Sequence, residues 1–476
     1  MTDHFDYQLG LLPVEFHRVN SKLVVLMSIT GDYLYSDNKL LEKLTTNNFS
    51  KISLEDIALL KSKHILGSFQ DDSQIRLLLS RIKTKKETVL DDPSLHIIVP
   101  TIECEHTCQY CQVSRQLKDD RYVMSHDNLM LVCETIFQSK SQTLTIEFQG
   151  GDPLLRIDLI FSAMNRVLQI NSEEGRNIRF IISSSLHQLT PDLCKQLSNY
   201  NVYFSTSIDG PKHLHNANRP LNTKDAYQRT LKGIELVREY FGEDHISALM
   251  TTTQRSLSYP KEIVDEYVKL GFKDIFMRPL SPYGFAKRNS KHIKHSSQQF
   301  IEFYRTALNR IREWREKGVE ICEFTESLIQ DKVESPFDSG YVDNQTPSGA
   351  GSAVFVYNYD GYVYPSDESR MLAETGDISH RLGPIGLPLV QLRSTSVVRE
   401  IRESSNPFRS KFCRKCEFKF YCGPEPISTY NETGNFKGKT EHTTHCVISK
   451  TMLSDYFSRK LENGLASYEK LNEVKA

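Results

Sequence analysis

The sequence lacks any apolar run that approaches the roughly 18 residues needed to cross a membrane. Its N-terminus, Met-Thr-Asp-His-Phe-Asp, is acidic and has no apolar segment, which predicts no secretory signal. A long Lys/Arg block is also missing, and the formal charge is −1 with a pI of about 6.9. A nucleic-acid enzyme usually carries a basic stripe, so this balance argues against that class. We therefore expect a cytoplasmic protein without a membrane or nucleic-acid partner.

No internal repeat or low-complexity segment interrupts the 476 residues, of which 25% are charged and 39% hydrophobic. These fractions describe a globular protein with ample material for a core, and the length suggests about three domains. The pattern divides the chain into residues 1–90, 91–315 and 316–476. In the first segment, three short strands followed by helices that start after Ser53 and at Asp72 predict a small α+β module.

From about residue 94 the pattern changes to alternating strands and amphipathic helices. Helices such as 225–240, with Gly242 just past its end, lie between the strands. This alternation predicts βαβ units. Six such units suit a partial TIM-like barrel, in which the loops after the strands build the active site. The predicted strands are short and rich in β-branched or aromatic residues, and they cover 96–100, 144–148, 178–182, 202–208, 246–250 and 275–279.

Ten cysteines fall into two clusters and three isolated positions, a distribution typical of metal binding in a reducing compartment rather than of disulfides. Cys104, Cys108 and Cys111 form a C-x3-C-x2-C pattern in the loop after the first barrel strand. Three thiolates this close together can hold three corners of a [4Fe–4S] cubane and leave one iron open to a further ligand. Reduced structural thiols or half of a zinc site are the alternatives.

This loop, with Tyr110 before the third cysteine, resembles the motif of the radical S-adenosylmethionine (SAM) enzymes. The resemblance implies that the open iron holds the amino and carboxylate groups of SAM, and that one electron cleaves SAM to a 5′-deoxyadenosyl radical. Gly150-Gly151-Asp152-Pro153 follows the second barrel strand and resembles the family's Gly-Gly-Glu-Pro element, which contacts the SAM amino group. Two glycines let a backbone pass close to a ligand, although the same four residues also suit an ordinary turn.

The third and fourth barrel strands end in two further segments that are similar to the family. The Ser183–Ser185 triplet stands where relatives commonly have Thr-Asn-Gly, which implies that Ser185 contacts SAM. The segment 207–220 resembles Ser-x-Asp-Gly-Pro…His-Asp…Arg, with Asn216 in place of the second Asp. Arg219 is then a candidate partner of the SAM carboxylate, since a guanidinium fork suits that group. The alternative is that Arg219 pairs with Asp209.

The second cysteine cluster resembles the SPASM extension of radical SAM enzymes that modify peptides. A full extension holds two auxiliary clusters, but here Ser366, Pro426 and the run 349–352 replace the cysteines of the first one. The resemblance implies one auxiliary [4Fe–4S] cluster, although four thiolates that include a C-x2-C pair also suit zinc. The four remaining ligands are Cys413, Cys416, Cys422 and Cys446.

Asp367 lies next to one of the missing cysteines. It matches the aspartate that acts as a base in sulfatase-maturing relatives, which makes it a candidate catalytic residue. The alternative is an ordinary turn aspartate in Pro-Ser-Asp-Glu.

Within the superfamily, the chain resembles the radical SAM maturase of the His-Xaa-Ser system over nearly its whole length, most clearly in segments 108–116, 148–153 and 183–187. The resemblance implies modification of a ribosomally made peptide or small protein by hydrogen-atom abstraction. It also implies a second radical SAM maturase and a flavodoxin- or ferredoxin-type electron donor as partners. A sulfatase-maturase-like or other SPASM oxidoreductase is one alternative, and a non-catalytic iron–sulfur or zinc scaffold is another. We further expect the N-terminal module to dock an extended leader on a strand edge.

Overall fold

The structure is a computed structural model that describes residues 9–68, 71–90 and 92–462. In these residues the strands are, in chain order, β1 (Gly10–Leu11), β2 (Val14–Arg18), β3 (Leu23–Ser28), β4 (Tyr33–Asp37), β5 (Leu66–Gly67), β6 (Leu95–Thr101), β7 (Thr143–Gly150), β8 (Asn177–Ser183), β9 (Val202–Ser207), β10 (Ile246–Thr251), β11 (Asp274–Arg278), β12 (Cys322–Glu323), β13 (Val354–Tyr357), β14 (Tyr362–Tyr364) and β15 (Gly383–Pro384).

The α-helices of the same residues are α1 (Asn38–Thr45), α2 (Leu54–Ser62), α3 (Asp72–Leu90), α4 (His126–Ile136), α5 (Ile157–Glu174), α6 (Pro191–Leu197), α7 (Lys212–Asn218), α8 (Ala226–Phe241), α9 (Pro260–Lys269), α10 (Gly284–Arg288), α11 (Ser290–Ile293), α12 (Ser297–Glu316), α13 (Phe324–Glu334), α14 (Asp367–Ala373), α15 (Leu389–Arg393), α16 (Ser396–Ser404), α17 (Pro426–Thr433) and α18 (Thr444–Glu462).

The chain divides into two compact units. The barrel unit consists of Asp91–Thr325 and Gly349–Arg402, and the terminal unit consists of Met1–Leu90, Glu326–Ser348 and Glu403–Ala476. The division after residue 90 coincides with the predicted boundary, whereas the predicted segment 316–476 contributes to both units. The assignment of three functional segments stays a prediction.

The barrel unit contains a sheet in the order β12-β11-β10-β9-β8-β7-β6-β13-β14-β15. From β6 to β11 each strand pairs in parallel with the next strand along the chain, and at least one helix lies in every connection. All six predicted barrel strands are present, so the prediction of an α/β fold with a partial (β/α)6 barrel is confirmed. Six of the seven residues of β6 are buried, as expected of a parallel strand that is covered on both faces.

The helix after the fourth barrel strand follows from its sequence pattern. The residues of α8 that are buried, among them Ile234 and Val237, recur at helical spacing. The helix stops at Gly242, where φ is +99° and the N–H donates to the Arg238 carbonyl. Glycine adopts this backbone conformation without the steric cost that a side chain would add. The predicted helix 225–240 is therefore confirmed to within one residue.

The segment after residue 348 extends the barrel sheet, which the sequence pattern did not indicate. β13 pairs in parallel with β6, with Val354 opposite Leu95 and Tyr357 opposite Ile98. β14 and β15 continue the sheet as antiparallel strands. β6, the strand that precedes the first cysteine loop, is therefore paired on both edges.

The terminal unit contains an antiparallel sheet in the order β2-β3-β4. All six residues of β3 are buried, and helices α1 and α2 contribute leucines to the same core. α2 starts as predicted, because the Ser53 hydroxyl accepts a hydrogen bond from the Asp56 N–H at 3.1 Å. The prediction of short strands followed by helices in residues 1–90 is confirmed for the described part of that segment.

Within the described residues, no helix combines the length and the apolar character needed to cross a bilayer.

Candidate active site and cysteine clusters

The first cysteine loop leaves the C-terminal end of β6, as the sequence predicted. Cys104, Cys108 and Cys111 are all half-buried in it. The Cys104 N–H donates to the Gln116 carbonyl at 3.1 Å, and the Cys111 N–H donates to the Cys108 carbonyl at 3.2 Å. The first bond closes the base of the loop, and the second forms a turn between Cys108 and Cys111.

The middle of this loop is attached to the segment that follows α7. The N–H groups of Thr107 and Gln109 donate to the carbonyls of Pro220 and Asn218 at 3.1 and 3.3 Å. His106 Nδ1 lies 3.2 Å from the Arg219 carbonyl. These contacts fix Arg219 beside the cysteine loop, although it is distant in sequence.

The three thiols lie in one electrostatic neighbourhood. Burial raises the pKa of Cys104 well above its usual value, and nearby Asp152, Cys108 and Cys111 add to the rise. Burial also raises the pKa of Cys108 to about 11, although the Arg219 guanidinium, which is hydrogen-bonded to this thiol, opposes the rise. Three neighbouring thiols in one half-buried loop fit the donor set of a cubane iron–sulfur cluster.

Arg219 is half-buried beside the loop, and part of its guanidinium is unused. Its Nη1 donates to the Ser207 carbonyl at 3.4 Å, and its carbon Cζ lies 5.9 Å from the centre of the Tyr110 ring. Among the described residues, its Nε has no hydrogen-bond partner. A buried donor without an acceptor is costly, so this geometry suits an anionic ligand such as a carboxylate.

The predicted alternative partner, Asp209, bonds instead to the tyrosine of the motif. The Tyr110 hydroxyl donates to both Asp209 carboxylate oxygens at 2.9 and 2.8 Å, and both side chains are buried. Burial raises the pKa of Asp209 even though Arg219 is close enough to oppose the change. In the described part of the chain, no ion pair joins Arg219 to Asp209.

The two glycines after β7 lie against the start of the cysteine loop. A Cβ at Gly151 would lie 2.5 Å from the backbone carbon and oxygen of Ile102, and a Cβ at Gly150 would collide with the Thr101 carbonyl. Gly151 and Asp152 donate their N–H groups to the carbonyls of Thr101 and Glu103 at 3.0 and 2.7 Å. The close approach that the sequence analysis assigned to a ligand is thus occupied, in this structure, by the loop backbone.

Asp152 connects this segment to the serines at the end of β8. It is buried, and its carboxylate accepts hydrogen bonds from the hydroxyls of Ser184 and Ser185, the former at 2.6 Å. It also accepts from the Leu154 N–H at 3.3 Å, at the start of a short 3-10 helix that Pro153 begins. The structure therefore brings the predicted residues Asp152, Pro153 and Ser185 together.

The sequence analysis missed the histidines around the loop, of which His106 and His215 are buried and His187 is half-buried. The rings of His106 and His187 are 4.7 Å apart, and His215 Nδ1 accepts from the Asp209 N–H at 3.4 Å. Burial lowers the pKa of His106 to about 3 and that of His187 to about 4. The only sequence signal was the position of His106 between the first two cysteines.

The second cysteine cluster lies in the terminal unit. The Cys416 N–H donates to the Cys413 carbonyl at 2.9 Å, and the Cys422 N–H donates to the Phe418 carbonyl at the same distance. Burial raises the pKa of Cys422, and Cys416, Cys413 and Cys446 contribute further to the rise. Burial also raises the pKa of Cys446 to about 11, with Cys416 and Cys413 contributing. The fold therefore gathers four cysteines that are spread over 34 residues of sequence.

Asp367 is the first residue of α14, and the Ser366 hydroxyl caps that helix by accepting a hydrogen bond from the Ser369 N–H. The Asp367 carboxylate accepts hydrogen bonds from Nε and Nη2 of Arg370, at 2.8 and 2.5 Å. Arg370 is fully buried. Asp367 is thus held in an ion pair at a helix start, and its catalytic role stays a prediction.

Among the residues that the structure describes, no three His, Cys, Asp or Glu side chains are grouped as ligands of a single metal ion.

Residues 98–266 match the radical SAM superfamily. A radical SAM cyclopropyl synthase of Paramaledivibacter caminithermalis is 23% identical over 230 residues, which are 45% of this chain and 45% of that protein. A cysteine-type anaerobic sulfatase-maturating enzyme of Clostridium novyi is 25% identical over 365 residues, which are 75% of this chain and 93% of that protein. The chain therefore spans less than half of the cyclopropyl synthase and nearly all of the sulfatase-maturating enzyme.

Two solved structures share the fold. The first is anSMEcpe with bound AdoMet and the Cp18Cys peptide, with a TM-score of 0.65 and 18% identity over 78% of this chain and 99% of that one. The second is Streptococcus suis SuiB bound to the precursor peptide SuiA, with a TM-score of 0.52 and 13% identity over 90% of this chain and 98% of that one. At these identities the likeness establishes the fold alone.

The prediction of the cofactors is confirmed at the level of the domain. A radical SAM domain works with a [4Fe–4S] cluster and SAM, and the gathered thiols of the first loop fit that cluster. The four cysteines of the terminal unit fit the auxiliary cluster of a SPASM-type extension.

Proposed function

We propose that this protein, whose residues 98–266 form a radical SAM domain, modifies a ribosomally made peptide or small protein by hydrogen-atom abstraction. The observation that carries the proposal is the first cysteine loop, where three neighbouring thiols lie beside the Arg219 guanidinium, whose buried Nε has no partner among the described residues. In this assignment Cys104, Cys108 and Cys111 ligate the cluster, and Arg219 binds the SAM carboxylate.

When they are bound, the cluster and SAM supply a carbon radical that removes a hydrogen atom from the substrate. The residues of the chain position these groups and shield them. Asp152, fixed by the serine hydroxyls, holds the Gly150–Gly151 backbone against the cysteine loop. Tyr110 packs in an apolar cluster with Ala286 and Ile293, which keeps water away from one side of the loop.

A peptide substrate is supported by two independent likenesses. SuiB, whose fold this chain shares, has been solved with a precursor peptide, and the sequence resembles the maturase of the His-Xaa-Ser system. We therefore propose a small protein with His-Xaa-Ser repeats as substrate. A second radical SAM maturase and a flavodoxin- or ferredoxin-type electron donor complete the proposed system.

The C-terminal cysteines are proposed to hold one auxiliary [4Fe–4S] cluster. Cys413, Cys416, Cys422 and Cys446 supply four ligands, so no iron of this cluster is left for substrate. The proposed role is to relay electrons toward the first cluster.

Strand β2 is the proposed docking edge for the leader of the substrate. It pairs with β3 on one side, and the Val19 N–H donates to the Leu23 carbonyl just past its end. Because antiparallel hydrogen bonding alternates along a strand, the N–H groups of Phe16 and Arg18 point away from β3. Neither N–H has a hydrogen-bond partner among the described residues, so a further extended segment could accept from both.

The docking proposal is tested with Phe16→Pro, which removes an outward N–H and leaves the β2–β3 ladder intact. Phe16→Ala is the matched control, since it removes the same ring but keeps the N–H. We expect Phe16→Pro to weaken binding of a synthetic leader-containing His-Xaa-Ser peptide at least tenfold more than Phe16→Ala does. Equal affinities of the two variants, measured by fluorescence anisotropy, would exclude this edge.

The principal experiment counts iron and sulfide after anaerobic purification and measures 5′-deoxyadenosine formed from SAM. About eight irons are expected, because two cubane clusters hold four each. Replacing Cys104, Cys108 and Cys111 together with alanine should remove about half of the iron and all 5′-deoxyadenosine formation. Cys322→Ala is the control, since that cysteine belongs to neither cluster and its replacement should leave both values unchanged.

A sulfatase-maturase-like activity is the second candidate. It is favoured by similarity that extends over 93% of the Clostridium novyi relative. The ion pair between Asp367 and Arg370 counts against it, because a base needs a free carboxylate. A preparation that contains zinc alone and does not cleave SAM would instead support the non-catalytic scaffold.

A further inference from the structure

A buried lysine lies behind the C-terminal cysteines. The side chain of Lys332, on α13, is 3% exposed, and its Nζ lies 3.3 Å from an oxygen of Asp338, which is 5% exposed. Burying a charged pair costs several kcal/mol of solvation that well-packed apolar residues would avoid. The pair is therefore a candidate for a role other than stability.

Thr346 links this lysine to one of the cysteines. Its hydroxyl donates to the Cys422 carbonyl at 2.7 Å, and Lys332 Nζ donates to the same hydroxyl oxygen at 3.2 Å. Since the hydroxyl has one hydrogen, which bonds to Cys422, its lone pair faces the ammonium group. The Thr346 N–H also donates to Asp338 at 3.2 Å. Two hydrogen bonds in series thus carry the polarisation from the lysine to the cysteine backbone.

The chain around these residues is built for close approach. A Cβ at position 423 would lie 2.6 Å from the Asn344 carbonyl oxygen. Glycine at this position therefore allows segment 344–346 to pack next to Cys422. Lys85 Nζ donates to the Lys332 carbonyl at 2.8 Å. The position of Lys332 is therefore fixed by contacts on several sides.

The charge of Lys332 acts on the cysteine itself. Burial and the neighbouring thiols raise the pKa of Cys422, and Lys332 is the nearby group that opposes the rise. The reduction potential of an iron–sulfur cluster depends on local charge, hydrogen bonds and solvent exposure. A positive charge stabilises the reduced cluster, which carries one more electron, and so raises its potential.

We propose that Lys332, held by Asp338 and Thr346 behind Cys422, is a positioning residue that raises the reduction potential of the auxiliary cluster. The inference rests on the proposed function, because it requires that the four C-terminal cysteines hold an iron–sulfur cluster rather than zinc. Such a setting would let the auxiliary cluster accept an electron from a low-potential flavodoxin- or ferredoxin-type donor.

Lys450 is a matched control within the same unit. It also interacts with thiols of the cluster, Cys416 and Cys446. Its side chain, however, is 48% exposed and forms an ion pair with Glu417 at 3.1 Å. Solvent screens such a charge, so its removal should change the potential much less than removal of Lys332.

The experiment uses the full chain with Cys104, Cys108 and Cys111 replaced by alanine, so that only the auxiliary cluster remains. Iron and sulfide are counted first, and the midpoint potential is then measured by a redox titration followed by electron paramagnetic resonance. Lys332→Met should shift the equilibrium toward the oxidised cluster by at least tenfold, which is 59 mV for a one-electron couple. Asp338→Asn should shift it in the opposite direction, and Lys450→Met should change it less than twofold.

Three outcomes overturn the inference. The first is a Lys332→Met protein with about four irons and a potential within twofold of its parent. The second is an equal shift in Lys450→Met. The third outcome is used if the Lys332→Met protein loses its iron. In that case the inference is overturned by an Asp338→Asn protein that keeps its iron but whose midpoint potential does not rise. A parent protein that binds zinc and no iron would instead refute the auxiliary cluster of the proposed function, and the inference with it.

Discussion

Replacement of Gly151 with alanine tests whether the contact between the two loops holds the first cysteine loop in place. The new Cβ would lie 2.5 Å from two backbone atoms of Ile102, and the Glu103 carbonyl would be closer still. A backbone cannot rotate away as a flexible side chain can. Because the Glu103 carbonyl is the nearest atom, the start of the cysteine loop must retreat by nearly 1 Å to restore the 3.0 Å that real Cβ contacts keep.

The cost of this movement has two parts. Overpacking of a tight contact costs about 1–3 kcal/mol. The retreat also stretches the two hydrogen bonds that Gly151 and Asp152 donate to the loop, each worth about 1 kcal/mol. A total of about 3 kcal/mol lowers the Tm of a unit of this size by roughly 6–12 °C, at 2–4 °C per kcal/mol.

The assay is anaerobic differential scanning calorimetry together with an iron count. Gly151→Ala should show the lower Tm and should lose iron from the first cluster only. Gly175→Asn is the control, because Gly175 ends α5 in an open left-handed position that asparagine tolerates. An unchanged Tm with a full iron content in Gly151→Ala would refute the reasoning.

Three further predictions concern buried polar groups. Tyr110→Phe removes the hydroxyl that donates to the buried Asp209 carboxylate. It should lower the free energy of unfolding, measured in urea, by about 1–3 kcal/mol. Burial lowers the pKa of His96 from 6.5 to about 4, so the unfolded chain binds a proton in that window that the folded chain does not. Stability should fall as the pH drops from 6.5 toward 4, and His96→Gln should remove up to about 3 kcal/mol of that loss in unfolding measured across a pH series. Arg370→Met leaves Asp367 unpaired and should lower the unfolding free energy by about 3–5 kcal/mol, measured by denaturant titration.

The barrel strands could be predicted because each is specified locally. Short runs such as 178–182 contain their own β-branched and aromatic residues, and amphipathic helices separate them. The pairing of β13 with β6 could not be predicted, because it joins residues more than 250 positions apart. Nothing in the local pattern of Val354–Tyr357 specifies which strand it will meet.

The candidate site divides in the same way. Cys104, Cys108 and Cys111 could be proposed from the sequence, because the ligands of one cluster can lie close together in the chain and then form a recognisable spacing. The segment that packs against Gly150 and Gly151 could not be predicted, since a Gly-Gly pair indicates a close approach but does not specify which group approaches. Lys332 and Asp338 also escaped notice, because a lysine and an aspartate six residues apart are ordinary until the fold buries both.

The pairing of β13 with β6 limits how far the protein can be shortened. The sequence pattern would suggest a minimal version that ends at residue 315. This version lacks β13, so one edge of β6 is unpaired directly before the loop that contains the first three cysteines. Open sheet edges recruit other chains, so such a fragment should aggregate and incorporate iron poorly. Engineering toward a compact catalyst must keep residues 349–402, which belong to the barrel unit.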